Sequence, residues 1–333
     1  MKHLTLIAVI LSFFPVLTSG EELSLPDLIG KCMPAVVSIR AERLLMPRDI
    51  PPAPGGITQR PSFEVGVGAG FLIDREGIIA TMRALVRDAR KIDVIFADGR
   101  RAVAELMGED GIANVALLKV DPGAVEGIDP LRFSDQPPRI GQTVIALGNP
   151  RNLGISAFRG IVSGLDRTPA SEFIGLIQTD ITAFPGMGGG PLIDEEGGVI
   201  GMCSVALREG PPRPMGRPST AGLLFAVPAD LIRRAISIMR GEAKGWGYLG
   251  AMISDSREER GVVVNRVLPG SPAQEAGFES GDLILELNGE PVLNAARFRR
   301  MILTAEPGEE VVVKVLREGR ELVLKARIGE RGG

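Results

Sequence analysis

The sequence predicts a mainly β protein in which a large unit, with room for two six-stranded barrels, precedes a small α/β domain. Three observations carry this. From about residue 24 to 228, short apolar stretches alternate with Gly, Asp and Pro turn signals, the rhythm of brief strands with few helices between them. One amphipathic stretch, 228–241, follows. From Trp246 onward, strands mix with two short helix-like segments. A chain of 333 residues has the length for two or three domains. No segment repeats at a spacing of 20 to 50 residues, which excludes a solenoid.

The leader MKHLTLIAVILSFFPVLTSGEE has a basic start, an apolar run from Leu4 to Leu17 and small residues at Thr18, Ser19 and Gly20. This is the layout of a secretory signal peptide, predicted at 1–20 with cleavage after Gly20. The run falls short of the roughly 20 residues a membrane-spanning helix needs, and no cysteine follows it as a lipid anchor. The expected location is therefore secreted, or periplasmic in a Gram-negative cell. Without Lys2 the basic residues fall from 38 to 37 against 41 acidic ones, a net charge of −4. That balance carries no footprint of nucleic-acid or anionic-membrane binding.

The elements follow in order. A short amphipathic stretch, LSLPDLIGKCMP, opens the mature chain. Strands are predicted at 35–42 (AVVSIRAE), 68–74 (GAGFLID), 92–99 (IDVIFADG), 115–121 (VALLKVD), 143–149 (TVIALGN) and 198–205 (GVIGMCSV). Stretches 46–62 and 208–222 are rich in Pro, Gly and Arg, cannot supply ladder hydrogen bonds, and read as loops. In 228–241 the apolar residues Leu231, Ile232, Ala235, Ile236 and Met239 share one helical face, and Gly241 is placed to end the helix. This helix joins the two units.

Candidate chemistry is sparse. The only histidine, His3, lies in the leader, so the mature chain has no imidazole. Cys32 and Cys203 are either a disulfide of an oxidising compartment or two buried thiols. Two distant cysteines without histidine supply no zinc ligand set, and Asp194, Glu195 and Glu196 read as a solvated hairpin tip. No cofactor is expected. Gly66, Gly68 and Gly70 lack G-x-G-x-x-G spacing and a following helix, so they read as a β segment with close backbone packing.

The segments GAGFLIDREGIIATMRALV, NVALLKV, GQTVIALGNP, FIGLIQTDITAFPGMGGGPLIDEEGGVIGM and LLFAVP together resemble the protease domain of the HtrA/Deg family. YLGA, GSPAQEAGFESGD and a following LNG resemble the PDZ domain that succeeds it there. The resemblance implies a chymotrypsin-like double β-barrel over 21–241 and a PDZ domain over 242–333, with assembly into trimers. It also locates three departures. Ala84 stands where the family has its catalytic histidine, Asn114 where it has the aspartate, and Gly188 where it has the serine. Gly186, Met187 and Gly188 form the vestige of the oxyanion turn.

Such chemistry needs a serine, a histidine and an aspartate acting together, so the resemblance implies a protease fold that does not cut. Losing a triad costs on the order of a millionfold in turnover. Cys203, Ser204 and Thr179 lie near the old site in sequence, yet each needs a base to become a nucleophile. The rival reading is a residual serine-type or cysteine-type endopeptidase with a non-standard nucleophile. In the PDZ-like part, the resemblance assigns Tyr248, Leu249, Gly250 and Ala251 to a loop that binds peptide C-termini, and Ile253 to the strand beside which a peptide adds itself. Phe298, Met301 and Ile302 are candidates for the opposite, apolar wall, with ordinary core packing as the alternative. The expected partners are peptides or protein C-termini, together with an active protease relative.

Overall fold

The computed structural model describes residues 23–45, 62–169, 174–207, 222–256 and 261–331. The leader and nearly all of the two Pro- and Gly-rich loops lie outside the described residues. Helix α1 (Leu25–Cys32) begins at Ser24, whose hydroxyl accepts a hydrogen bond from the Asp27 N–H at 3.4 Å. Pro26 fits the first turn, where an N–H would have no partner. Its Leu28 and Cys32 are buried against the first barrel.

That barrel closes six strands: β1 (Val36–Leu45), β2 (Ser62–Leu72), β3 (Ile78–Met82), β4 (Lys91–Phe96), β5 (Arg101–Asp110) and β6 (Val115–Lys119), in spatial order β1-β2-β3-β6-β5-β4. A one-turn helix α2 (Arg83–Val86) follows β3. The second barrel closes β7 (Thr143–Gly148), β8 (Ser156–Arg167), β9 (Leu176–Ala183), β10 (Pro191–Ile193), β11 (Val199–Leu207) and β12 (Gly222–Pro228), in the order β10-β11-β12-β9-β8-β7. Closure leaves neither sheet an open edge. Every alternate position of β4 faces inward, as Ile92, Val94 and Phe96 show.

Helix α3 (Ala229–Met239) lays Leu231, Ile232 and Ala235 into the barrel core, and Gly241, with φ +73°, ends it by donating its N–H to the Ile238 carbonyl at 3.0 Å. The PDZ-like unit then comprises β13 (Gly247–Tyr248), β14 (Ala251–Asp255), β15 (Val262–Val267), α4 (Pro272–Glu275), β16 (Leu283–Leu287), β17 (Glu290–Pro291), α5 (Ala295–Thr304), β18 (Glu310–Arg317), β19 (Arg320–Arg327) and β20 (Gly329–Glu330). Its main sheet runs β14-β15-β16-β18-β19, with β14 at one edge.

The two units are joined by buried polar contacts that hydrophobic periodicity does not disclose. Trp246, the only tryptophan, is 5% exposed and donates its indole N–H to Asp110 Oδ2 at 2.7 Å. Arg234, on the buried face of α3, bonds the Gly245 carbonyl and Glu306. Arg300 of α5 reaches Asp166 at 2.9 Å and Asp230 at 2.8 Å. Burial opposes the charge on Arg300, but Asp230 and Asp166 outweigh it and hold the guanidinium above its ordinary pKa. A charge placed so deeply is tolerated only because it is paired.

Candidate functional site

The cleft between the barrels brings Ala84, Asn114 and Gly188 to facing elements. Ala84 sits on α2, and its backbone N–H donates to Asn114 Oδ1 at 3.0 Å. The neighbouring Arg83 N–H donates to the Asn114 carbonyl at 2.9 Å. Asn114 takes φ +56°, a left-handed conformation that asparagine accepts more readily than most side chains. Among the described residues its amide nitrogen has no hydrogen-bond partner.

Gly188 lies in the turn before β10. Its carbonyl accepts the Ala69 N–H of β2 at 2.8 Å, which ties the turn to the first barrel. This approach explains the glycine stripe of β2: a Cβ at Gly68 would lie 2.9 Å from the Gly188 oxygen and overlap the side chain of Leu85. The stripe is thus close backbone packing, as its spacing indicates. A Cβ on Gly188 itself would lie 3.1 Å from Cε of Met82. The flexible end of the Met82 side chain on β3 therefore packs beside this position, and a side chain at 188 would require it to shift by a few tenths of an ångström.

The remainder of the turn is built from the second barrel. Met187 is 1% exposed and packs with Val144, Ala146 and Leu192. Its Sδ accepts a hydrogen bond from the Phe184 backbone N–H (N···S 3.3 Å), and the Phe184 ring packs against Phe158 at a tilt of 42°, centroids 5.9 Å apart. Gly186 has φ +97°, and a Cβ there would overlap the Asn149 carbonyl. Buried Asn149 anchors this corner by donating to Ser38 Oγ at 2.5 Å and accepting the Gly154 N–H at 2.8 Å. No sequence motif marks Asn149 or Met82 as site-shaping residues, because each acts through a contact across the cleft.

The remaining candidates fall as follows. Cys32 and Cys203 are free thiols, both buried, which resolves the two readings of this pair against a disulfide. Burial pushes the Cys203 thiol up to about 12. Thr179 is buried and donates to the Leu224 carbonyl at 3.0 Å. Ser204 Oγ is buried with no partner among the described residues. Asp194 departs from the expected solvated tip: it is 3% exposed and accepts the N–H groups of Glu196 at 3.1 Å and Gly198 at 2.7 Å. It holds the turn before β11, and among the described residues no group of three or more His, Cys, Asp or Glu is placed to hold a metal ion.

In the PDZ-like unit, Tyr248 pairs with Gly329 of β20, and Leu249 is buried in the domain core. Gly250, at φ +83°, links β13 to β14; a Cβ there would overlap Ser271 and lie 3.0 Å from Tyr248 Oη. The Gly250 carbonyl is held by the Leu268 N–H at 2.9 Å. Ala251 and Ile253 of edge strand β14 are half-buried against the core, and Asp255 at its end accepts the Ala295 N–H of α5 at 2.6 Å. Phe298 and Ile302 of α5 are core residues at 2% and 6% exposure, so the packing alternative describes them; Met301 is half-buried beside them.

Comparison with known proteins agrees with both units. Residues 68–202 match the trypsin-like peptidase domain and residues 247–328 the PDZ domain. A probable periplasmic serine endoprotease DegP-like of Halomonas elongata is 31% identical over 92% of this chain and 71% of its own length. The serine endoprotease DegS of Haemophilus influenzae is 30% identical over 95% of this chain and 90% of its own. Among solved structures, the HtrA-type protease AlgW with tripeptide aligns with a TM-score of 0.69 at 25% identity, covering 93% of this chain and 98% of that one. A serine endoprotease from Yersinia pestis aligns with a TM-score of 0.59 at 27% identity, covering 93% and 99%. A double β-barrel followed by a PDZ domain, with this extent of sequence identity across both, places the chain in the HtrA/Deg family.

Proposed function

We propose that this protein is a secreted or periplasmic pseudoprotease of its family, which binds C-terminal or extended peptide segments through its PDZ domain. It then acts as a scaffold, a chaperone-like holder or a regulator of an active relative. The observation that carries this reading is the substitution of Ala84, Asn114 and Gly188 at the three triad positions, in a mature chain without histidine. A proton from an attacking hydroxyl has no imidazole to receive it, and no hydroxyl stands at the nucleophile position. The named relatives are endoproteases, and the family resemblance assigns the reactive positions of such enzymes to Ala84, Asn114 and Gly188 in this chain. Assembly into trimers, alone or mixed with an active relative, belongs to the same proposal.

On the binding side, the reading rests on an open edge at β14 and on a loop whose glycine conformation is retained at Gly250. A peptide joining β14 would gain main-chain hydrogen bonds along it. The test is calorimetric titration of the mature protein with a library of peptides ending in apolar residues, beside a casein-cleavage assay on the same preparation. Saturable binding without cleavage is the expected outcome. Replacement Gly250→Val should abolish binding, since the branched side chain meets both Ser271 and an unfavourable φ. Casein turnover at rates typical of working proteases would overturn the proposal, and so would the absence of binding across the library at high micromolar peptide.

A further inference from the structure

A cavity of about 260 Å³ lies behind the Ala84–Asn114 contact, apart from both the Gly188 turn and the PDZ edge. Leu176 of β9, Val227 of β12 and Leu231 of α3 form its apolar floor, each at most 3% exposed. Half-buried Ile112 and Ile174 flank it, and exposed Ala84 and Gly111 leave it open to solvent. Among the described residues no ionisable side chain lines it, and the single polar side chain is Asn114. The Asn114 Oδ1 is already engaged by the Ala84 N–H, which orients the amide and leaves its nitrogen as the one uncommitted side-chain donor among the described lining residues.

We propose that this cavity is a binding site for a small neutral amphiphile, an aromatic or branched aliphatic body carrying one hydrogen-bond acceptor such as a carbonyl. The size fits a body larger than benzene, which an apolar cavity of about 150 Å³ already accommodates, and smaller than most drug-sized ligands. The lining excludes charge, because an ion placed there would lose its hydration without gaining a partner. The Asn114 amide selects for the acceptor. A histidine at position 84 would narrow the mouth, so the alanine that removes a general base also opens this site.

The test is methyl NMR of the mature protein labelled at Ile, Leu and Val, titrated with acetophenone, ethylbenzene and benzoate. Acetophenone should give saturable shifts at Ile112, Ile174 and Leu231. Ethylbenzene, which has the same shape without the acceptor, should bind about fivefold more weakly, the worth of one neutral hydrogen bond. Benzoate should bind at least roughly tenfold more weakly. Asn114→Asp keeps the acceptor for the Ala84 N–H but removes the donor, and should weaken acetophenone more than ethylbenzene. Ala84→Phe, at an exposed position, should fill the mouth and abolish both, with unchanged methyl signals of Val36, Val94 and Ile145 in the barrel core reporting an intact fold. The proposal is overturned if none of the three methyls responds saturably up to about 10 mM probe, if Ala84→Phe binds as well as the parent, or if benzoate equals acetophenone.

Discussion

Cys203 allows the rival reading, a thiol-dependent peptidase, to be tested through the physics of a buried acid. The residue is fully buried on β11 beside the Gly188 turn, with its N–H bonded to the Gly190 carbonyl at 2.8 Å and its carbonyl to the Gly189 N–H at 2.7 Å. Desolvation raises its thiol from 9.0 to about 12, so at pH 7 only about one molecule in 10⁵ carries the thiolate, the reactive form. The sign of the pH dependence follows. The unfolded chain releases this proton near pH 9, whereas the folded chain holds it until about 12. The stabilising contribution is therefore complete below pH 9 and is lost as pH rises through 12. At about 1.4 kcal/mol per tenfold change in proton affinity, the loss reaches about 4 kcal/mol. Urea unfolding from pH 7.5 to 11 should show the parent losing its advantage over Cys203→Ala, both in a Cys32→Ala background. Iodoacetamide at pH 8 should leave Cys203 unmodified in the native protein and alkylate it in urea. Rapid native alkylation at Cys203 together with casein cleavage would refute this account.

Further outcomes follow from the contacts around the cleft and the domain junction. Asp166→Ala leaves Arg300 with Asp230 alone and should cost about 2 kcal/mol, less than the 3–5 kcal/mol for a fully stripped buried charge; loosened docking would appear as a red shift of Trp246 emission. Restoring Ala84→His, Asn114→Asp and Gly188→Ser is expected to yield detectable casein hydrolysis, raised further when Met82→Ala is added, because a side chain at 188 crowds the end of Met82. Equal rates for the triple and quadruple variants would show that Met82 does not obstruct the cleft. Asn149→Ala strands Ser38 and the Gly154 N–H and should lower stability by roughly 2–4 kcal/mol in urea unfolding.

Period and punctuation made much of the architecture legible. The stretches at 115–121 and 143–149 each contain an observed strand, the stretch at 92–99 overlaps all but the first residue of β4, and α3 ends where Gly241 indicates. Strands β5 and β8 were harder to see. In β5, Val103, Leu106 and Met107 are exposed, which spoils the inward-outward alternation, while β8 is interrupted by Gly160 and Gly164. Both are held by neighbours on either side, so pairing outweighs their own pattern. The fate of Phe298 and Ile302 was equally undetermined by their spacing, since a helix face that lines a groove and one that fills a core repeat alike.

The sequence by itself settled which atoms are available: no histidine after the leader, no hydroxyl at position 188, and glycines where the backbone must bend or approach closely. These are matters of composition and local conformation, which travel with the chain. Only the tertiary structure decided that the end of Met82 lies beside Gly188, that Asn114 faces an apolar cavity, that the two cysteines stay apart, and that arginines on α3 and α5 lock the PDZ unit to the barrels. Each depends on residues distant in sequence meeting at a few ångströms, where burial sets the strength of a charge, a hydrogen bond or a thiol's hold on its proton.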